Sequence, residues 1–280
     1  MVSSARRRVL VTYLTATPFV IFALFPLVWM LMTSLKTNIE LYDLAQNPFL
    51  VRAGVTWEHY RFLFTQTAFP LWLRNSAVVA TTTSILSVVL AVLAAYALAR
   101  LRFPLAEAVT TFVFIVYLVP TTLLFLPLAR LMALFHLSNT LWSLIVAYPA
   151  FMVPFATWML TAYFTTIPRD VEESALVDGC TRLSALRHVV LPLARPGIIT
   201  AALFGFTLAW SEFIYALTFI STTELKTVTT GVVVDLIRGD FFYWGSLMGG
   251  ALVASLPVVL LFALFFDQYV AGLTAGAVRG

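Results

Sequence analysis

Long apolar runs alternate along this chain with shorter polar stretches, and the runs have the length of membrane helices. Six of them, near residues 11–34, 76–99, 109–131, 141–163, 195–220 and 246–266, reach the roughly 20 residues that an α-helix needs to cross the hydrocarbon core of a bilayer. The pattern predicts an all-α polytopic membrane protein with six transmembrane helices in one domain over residues 11–266. An N-terminal segment, 1–10, and a tail, 267–280, flank it. The polar stretches at 35–75, 164–194 and 221–245 are the large loops, and no repeat or low-complexity tract breaks the order.

Composition sharpens this reading. Of the 280 residues 61% are hydrophobic and only 11% charged, against roughly 25% charged in a soluble domain. The composition argues against a soluble fold. The net charge of +4 does not point to nucleic acid, because Lys and Arg sit mainly at the ends of apolar runs, where they anchor helices. Ten of the 17 (Arg6, Arg7, Arg8, Arg100, Arg102, Arg169, Arg182, Arg187, Arg195 and Arg279) fall on one side if the N-terminus is cytoplasmic. Four of the others lie in or beside the long first loop, where charge weighs less, so the bias predicts N-in and C-in. Arg6-Arg7-Arg8 before apolar Val9 to Leu35 looks like a secretory signal, but the run is too long and lacks a small-x-small cleavage site. It is expected to be an uncleaved first span. The single cysteine, Cys180, forms no internal disulfide and no cysteine metal cluster.

The loop 35–75 carries Trp57, Tyr60, Phe62, Phe64 and Trp72 among charges, the composition of a helix lying at the membrane interface. It is assigned to the outer face. Prolines 18, 26, 120, 127, 149, 154 and 257 fall in or at the ends of spans. They are packing kinks or parts of a pathway, since a bent helix is tolerated where neighbours or a cavity satisfy the freed carbonyls. Gly245-x-x-x-Gly249, followed by Gly250 and Ala254, is a small-residue face for close helix packing.

Several chemistries are ruled out by what is missing. The only lysines, Lys36 and Lys226, do not sit in a phosphate-cradling G-x-x-x-x-G-K-[ST] loop, so any ATP must be handled by a partner. His59, His136 and His188 fall in loops, and no aspartate lies within an expected span. No catalytic, cofactor-binding or metal-binding set follows from these residues. Glu212 is the one acid at membrane depth. It is a candidate for ion coupling, or a structural hydrogen-bonding group.

The stretch from Ile167 to Pro192 reads as two short helices joined by a turn. Asp170 is the expected N-cap, with Glu173 three residues on, and Gly179 ends the first helix in a left-handed conformation. Leu183, Leu186, Val189 and Val190 form the apolar stripe of the second helix, which is expected to stop before Pro192. By pattern alone the pair is a surface hairpin or a docking element.

The same residues resemble a known motif. Glu173-Ser174-Ala175, Asp178-Gly179 and Val189-Val190-Leu191-Pro192 are similar in type and spacing to the EAA loop of bacterial ABC importer permeases: E-A-A, three residues, G, nine residues, I-x-L-P. Ser174, Cys180 and Val189 depart from it conservatively. Asn75-Ser76, the run Ala94 to Pro104, Trp210-Ser211-Glu212-Phe213 and the tail Gly272 to Gly280 extend the resemblance to the smaller subunit of maltose-permease-like carbohydrate importers. It implies an ABC importer type I permease fold in the bacterial inner membrane and a non-catalytic subunit forming half of a pathway for an oligosaccharide or related carbohydrate. The implied partners are a second permease, two ATPase subunits that bind ATP and Mg, and an extracytoplasmic solute-binding protein.

By the same resemblance, Glu173, Ser174, Ala175, Asp178, Gly179 and Pro192 dock the ATPase. Trp210, Ser211 and Glu212 are candidates for the translocation pathway, with Trp210 either stacking on sugar or packing. Thr222, Thr223 and Lys226 are candidates for contact with the binding protein, in a loop that also holds Thr229, Thr230 and the turn Arg238-Gly239-Asp240. The alternatives are an ABC permease for a polyol, glycerol-phosphate or polyamine, and an ion-coupled secondary transporter using Glu212.

Overall fold

A computed structural model describes residues 2–43, 45, 47–238 and 241–277. The helices α1 (Val2–Ser34), α2 (Asn38–Tyr42), α3 (Glu58–Gln66) and α4 (Phe69–Arg100) are followed by α5 (Ala106–Tyr117), α6 (Thr121–Leu134), α7 (Leu141–Ala147) and α8 (Pro149–Thr166). Next come α9 (Arg169–Val177), α10 (Arg182–Ala185), a π turn (Leu186–Val190), α11 (Leu191–Leu193), α12 (Arg195–Ser211) and α13 (Ile214–Phe219). The chain ends with α14 (Val228–Asp235), a hairpin of β1 (Ile237–Arg238) and β2 (Phe241–Phe242), α15 (Trp244–Leu264) and α16 (Phe266–Ala277). Residues 239 and 240 of the expected Arg-Gly-Asp turn lie outside the described residues, as do Val278, Arg279 and Gly280 at the end of the tail.

Among the described residues, four helical stretches are long and apolar enough to cross a membrane: Arg8–Ser34, Phe69–Arg100, Leu141–Thr166 and Trp244–Leu264. Two bent pairs bring the number to as many as six: Ala106–Tyr117 with Thr121–Leu134, at 92°, and Arg182–Leu193 with Arg195–Ser211, at 79°. The expected third span is thus broken. Pro120 donates no amide and biases Val119 away from helix, so α5 ends and α6 restarts at an angle. The expected fifth span is also interrupted, since α12 stops at Ser211 and the extended backbone of Glu212 (φ −66°, ψ 135°) separates it from α13.

The chain divides into two compact units, residues 1–70 with 231–256 and residues 71–230 with 257–280. In the first, the segment after α1 folds on buried polar groups. Lys36 Nζ donates to Pro48 O (2.8 Å) and lies 3.9 Å from Glu40 Oε1. Glu40 in turn accepts the amides of Arg52 and Ala53. His59, buried on α3, bonds Lys36 O at 2.8 Å and approaches Ser246 Oγ at 3.3 Å. Two charged side chains can be buried here because each has partners in the same segment, a carbonyl and a carboxylate for Lys36, and two amides and the ammonium group for Glu40.

The core of the second unit is built on a face of small residues. Along α4 the buried positions Ser76, Ala80, Ser84, Ser87, Ala91, Ala95 and Ala99 recur every three or four residues, while Val78, Ile85, Leu86, Val89, Leu90 and Leu93 face outward. Helices in lipid gain little from burying leucine, so small side chains that admit close backbone approach take the interior. Ala95, Tyr96 and Ala99 meet Leu160, Phe164 and Ile167 of α8 and its end, together with Leu186, Val190 and Ala194. The tail is a docked helix: Thr200 Oγ1 of α12 donates to Gln268 O of α16 (3.3 Å), and a Cβ at Gly272 would strike the Thr200 side chain.

Candidate functional site

The 164–194 segment forms the expected helix pair with altered boundaries. Pro168, with φ preset at −56°, is the N-cap residue and makes no side-chain cap. Asp170 therefore lies inside the first turn, where it and Glu172 complement the positive end of the helix dipole. The expected capping by Asp170 is not formed, because the N-cap falls two residues earlier, on a proline that leaves no amide of its own to satisfy. Gly179 ends α9 in the left-handed region as expected, with φ +92°, and Thr181 Oγ1 caps α10 by accepting the Ser184 amide (3.2 Å).

The second helix does not stop at Pro192. It runs through the π turn Leu186–Val190 into α11, where Pro192 sits near the start of the last turn, and the sharp bend comes two residues later. The π turn also divides the expected stripe: Leu186 and Val190 are buried, while Leu183 is 70% exposed. Glu173, Ser174, Asp178, Gly179 and Pro192 are exposed and Ala175 half-buried. The pair thus presents small and acidic groups beside exposed Val177 (88%) and Leu183.

Sequence reasoning selected Glu173 and passed over its neighbour. Glu172 is only 5% exposed. Its Oε1 accepts the Tyr96 hydroxyl at 2.6 Å, and its Oε2 lies 3.3 Å from Arg100 Nε. That second contact is an ion pair without hydrogen-bond geometry, since Arg100 Nε has no hydrogen-bond partner. Arg100 Nη2 donates instead to Ile167 O (2.8 Å). The available signal was Tyr96 and Arg100 at i and i+4 near the end of an apolar run, one face of a helix carrying two polar groups.

A cavity of about 630 Å³ lies among α5, α6, α8, α12 and α13, within the roughly 300–1,000 Å³ of small-ligand sites. Tyr117, Phe151, Phe155, Phe204 and Tyr215 wall it, and Thr121, Thr122, Thr207, Ser211 and Glu212 supply polar atoms. Glu212 bridges the helix break. Its Oε1 accepts the Tyr215 amide (2.8 Å), and its Oε2 accepts the Ala216 amide (3.0 Å) and the Tyr148 hydroxyl (2.8 Å). The carboxylate therefore satisfies first-turn donors of α13. Trp210 does not line the cavity; it is buried and stacks on Phe206 at 5.4 Å. Tyr215 Oη donates to Thr121 O (2.8 Å), tying the α5–α6 break to the α12–α13 break.

The residues from Ser221 to Val228 are pinned from below. Trp72 Nε1 donates to Thr223 O (2.7 Å), Asn75 Nδ2 to Glu224 O and Lys226 O (2.8 and 3.0 Å), and Ser76 Oγ accepts the Val228 amide (2.8 Å). Asn139 Oδ1 accepts the amides of Ser221 and Thr222, and its Nδ2 donates to Thr222 Oγ1. Thr222 and Thr223 are half-buried, and Lys226 is 7% exposed. Ser221 and Glu224 are the exposed side chains of this turn.

Residues 87–275 match the family described as binding-protein-dependent transport system inner membrane component. The chain is 37% identical over 276 residues to the sulfoquinovosyl glycerol transport system permease protein SmoH of Agrobacterium fabrum, an alignment that covers 96% of this chain and 93% of that one. It is 34% identical over 262 residues to the trehalose transport system permease protein SugB of Mycobacterium tuberculosis, with 92% and 93% covered. In fold it is similar to a chain of a bacterial ABC transporter involved in the import of the acidic polysaccharide alginate. The TM-score is 0.78 at 18% identity, with 94% of this chain and 97% of that chain covered.

Proposed function

This chain belongs to the family of binding-protein-dependent transport system inner membrane components, and from that membership we propose that it is one of two permeases in an ATP-driven importer for sugars. It crosses the inner membrane six times with both termini in the cytoplasm, α5–α6 and α12–α13 each forming one broken span. The 164–194 helix pair is the EAA coupling loop. Two ATPase subunits bind ATP and Mg, and they engage Glu173, Ser174, Ala175, Asp178, Gly179 and Pro192. When ATP draws the ATPases together, the docked loops move as bodies and the spans rock from inward-open to outward-open. The turn around Ser221–Leu225 faces the solute-binding protein.

The observation that carries the sugar reading is the cavity, where aromatic faces suit the C–H faces of pyranose rings and hydroxyls and a carboxylate suit their OH groups. Two relatives named above have trehalose and sulfoquinovosyl glycerol in their names, which supports the class. This chain's share of the lining contains no Lys or Arg. A glycerol-phosphate would meet no counter-charge there, which favours a neutral sugar or polyol. Ion coupling through Glu212 is disfavoured, because both its oxygens are taken by donors of the same chain.

The test is uptake of labelled trehalose, maltose and sulfoquinovosyl glycerol, together with ATP hydrolysis, in proteoliposomes holding this chain with its second permease, ATPases and binding protein. Glu173→Ala and Gly179→Asp are expected to abolish both uptake and its coupled hydrolysis. Uptake by this chain alone, driven by an ion gradient and indifferent to either substitution, overturns the proposal.

A further inference from the structure

The following rests on reading 164–194 as the coupling loop. A loop pushed by an ATPase does useful work only if its movement is passed to a span instead of being absorbed at its own base. Tyr96 and Arg100 lie four residues apart, on one face of α4 at its end. Both reach Glu172 of α9, through the 2.6 Å hydrogen bond and the 3.3 Å ion pair. Arg100 also holds Ile167 O, where α8 ends, and Arg169 Nη2 donates back to Ala99 O at 3.1 Å. The straps therefore run both ways between α4 and the base of the loop.

We propose that Tyr96, Arg100 and Glu172 are positioning residues that latch α9 to the end of α4, so that displacement of the coupling loop is transmitted to that span. Two features separate this from general stability. A buried ion pair is often no more stabilising than apolar packing of the same volume, but it fixes geometry, because each charge must keep its partner. In addition, α9 divides its two adjacent acids: Glu172 turns inward to α4, and Glu173, about 100° further round the helix, stays exposed. One face grips the span while the other is left for the partner. Coupling needs such an element whose arrangement both sites bias.

The test uses the whole importer, reconstituted with its binding protein and trehalose as probe sugar. It reads the ATPase subunit retained on purification, the unstimulated ATP hydrolysis, and the stimulation of hydrolysis by the binding protein. Glu172→Gln is expected to keep the subunit and unstimulated hydrolysis while stimulation falls about tenfold, within the range seen for residues that modulate coupling. The paired exchange Arg100→Glu with Glu172→Arg is expected to restore part of it. If Glu172→Gln does not assemble, Tyr96→Phe, which removes one hydroxyl, carries the same expectation. Wild-type stimulation in the assembled variant overturns the latch, as does a parallel fall of unstimulated hydrolysis and stimulation. Retention of the ATPase subunit by both Glu173→Ala and Gly179→Asp overturns the coupling-loop reading itself, and the latch with it.

Discussion

A carboxylate at membrane depth is costly unless its oxygens are occupied, and the occupants of Glu212 are two backbone amides and a phenol. Its role is therefore first architectural: it lets the chain break between α12 and α13 beside the cavity without leaving the first-turn amides of Tyr215 and Ala216 unsatisfied. Glu212→Ala strips Tyr215 and Ala216 of that acceptor and is expected to destabilise the chain by about 1–3 kcal/mol, seen as a lower unfolding midpoint in detergent. Glu212→Gln, which retains one acceptor oxygen, should cost less. An unchanged midpoint for Glu212→Ala would falsify the architectural role. The acid stood out in the sequence because it was alone among apolar residues. Its phenol partner did not, since Tyr148 is 64 residues away and nothing in either neighbourhood signals the pairing.

Among the elements, the Ser221–Val228 segment shows how a loop can be held by the helix beneath it. Asn75, by donating to two carbonyls, and Trp72 and Ser76, by one bond each, make the start of α4 a template for the turn. Asn75→Leu leaves the carbonyls of Glu224 and Lys226 without their donor, at a local cost of about 1–3 kcal/mol. Such a loss is expected to open the turn more often. Limited trypsin digestion is the readout: cleavage after the buried Lys226 should rise several-fold over the wild type while other sites are unaffected. Equal cleavage in the two proteins would detach Asn75 from the loop's order. Asn75-Ser76 was legible as a family-like signature at the head of an apolar run, but its purpose is visible only where the chain returns some 150 residues later.

For the whole molecule, the testable quantity is orientation. Cys180, the single cysteine, lies half-buried just after the left-handed turn at Gly179. It reports the side of the 164–194 segment without background from other thiols. With the chain expressed alone, a membrane-impermeant maleimide is expected to label Cys180 in inside-out vesicles and not in right-side-out ones. The reverse result would overturn the proposed N-in and C-in arrangement and, with it, the proposed coupling role of the helix pair.

The sequence by itself determined the class of molecule: long apolar runs, charges placed at their ends, and a motif whose glycine could hardly be replaced where φ is +92°. Those features are local, set by hydropathy over about 20 residues or by the steric demands of one backbone position. It did not determine which acid of the Glu172-Glu173 pair turns inward, where the third and fifth spans break, or that the tail docks as a helix. Hydropathy treats all apolar residues alike, whereas packing in a membrane protein selects for size, so the small-residue face of α4 and not its leucines carries the core. The inward turn of Glu172 depends on Tyr96 and Arg100, brought to it from 76 and 72 positions away, and only the folded chain supplies that proximity.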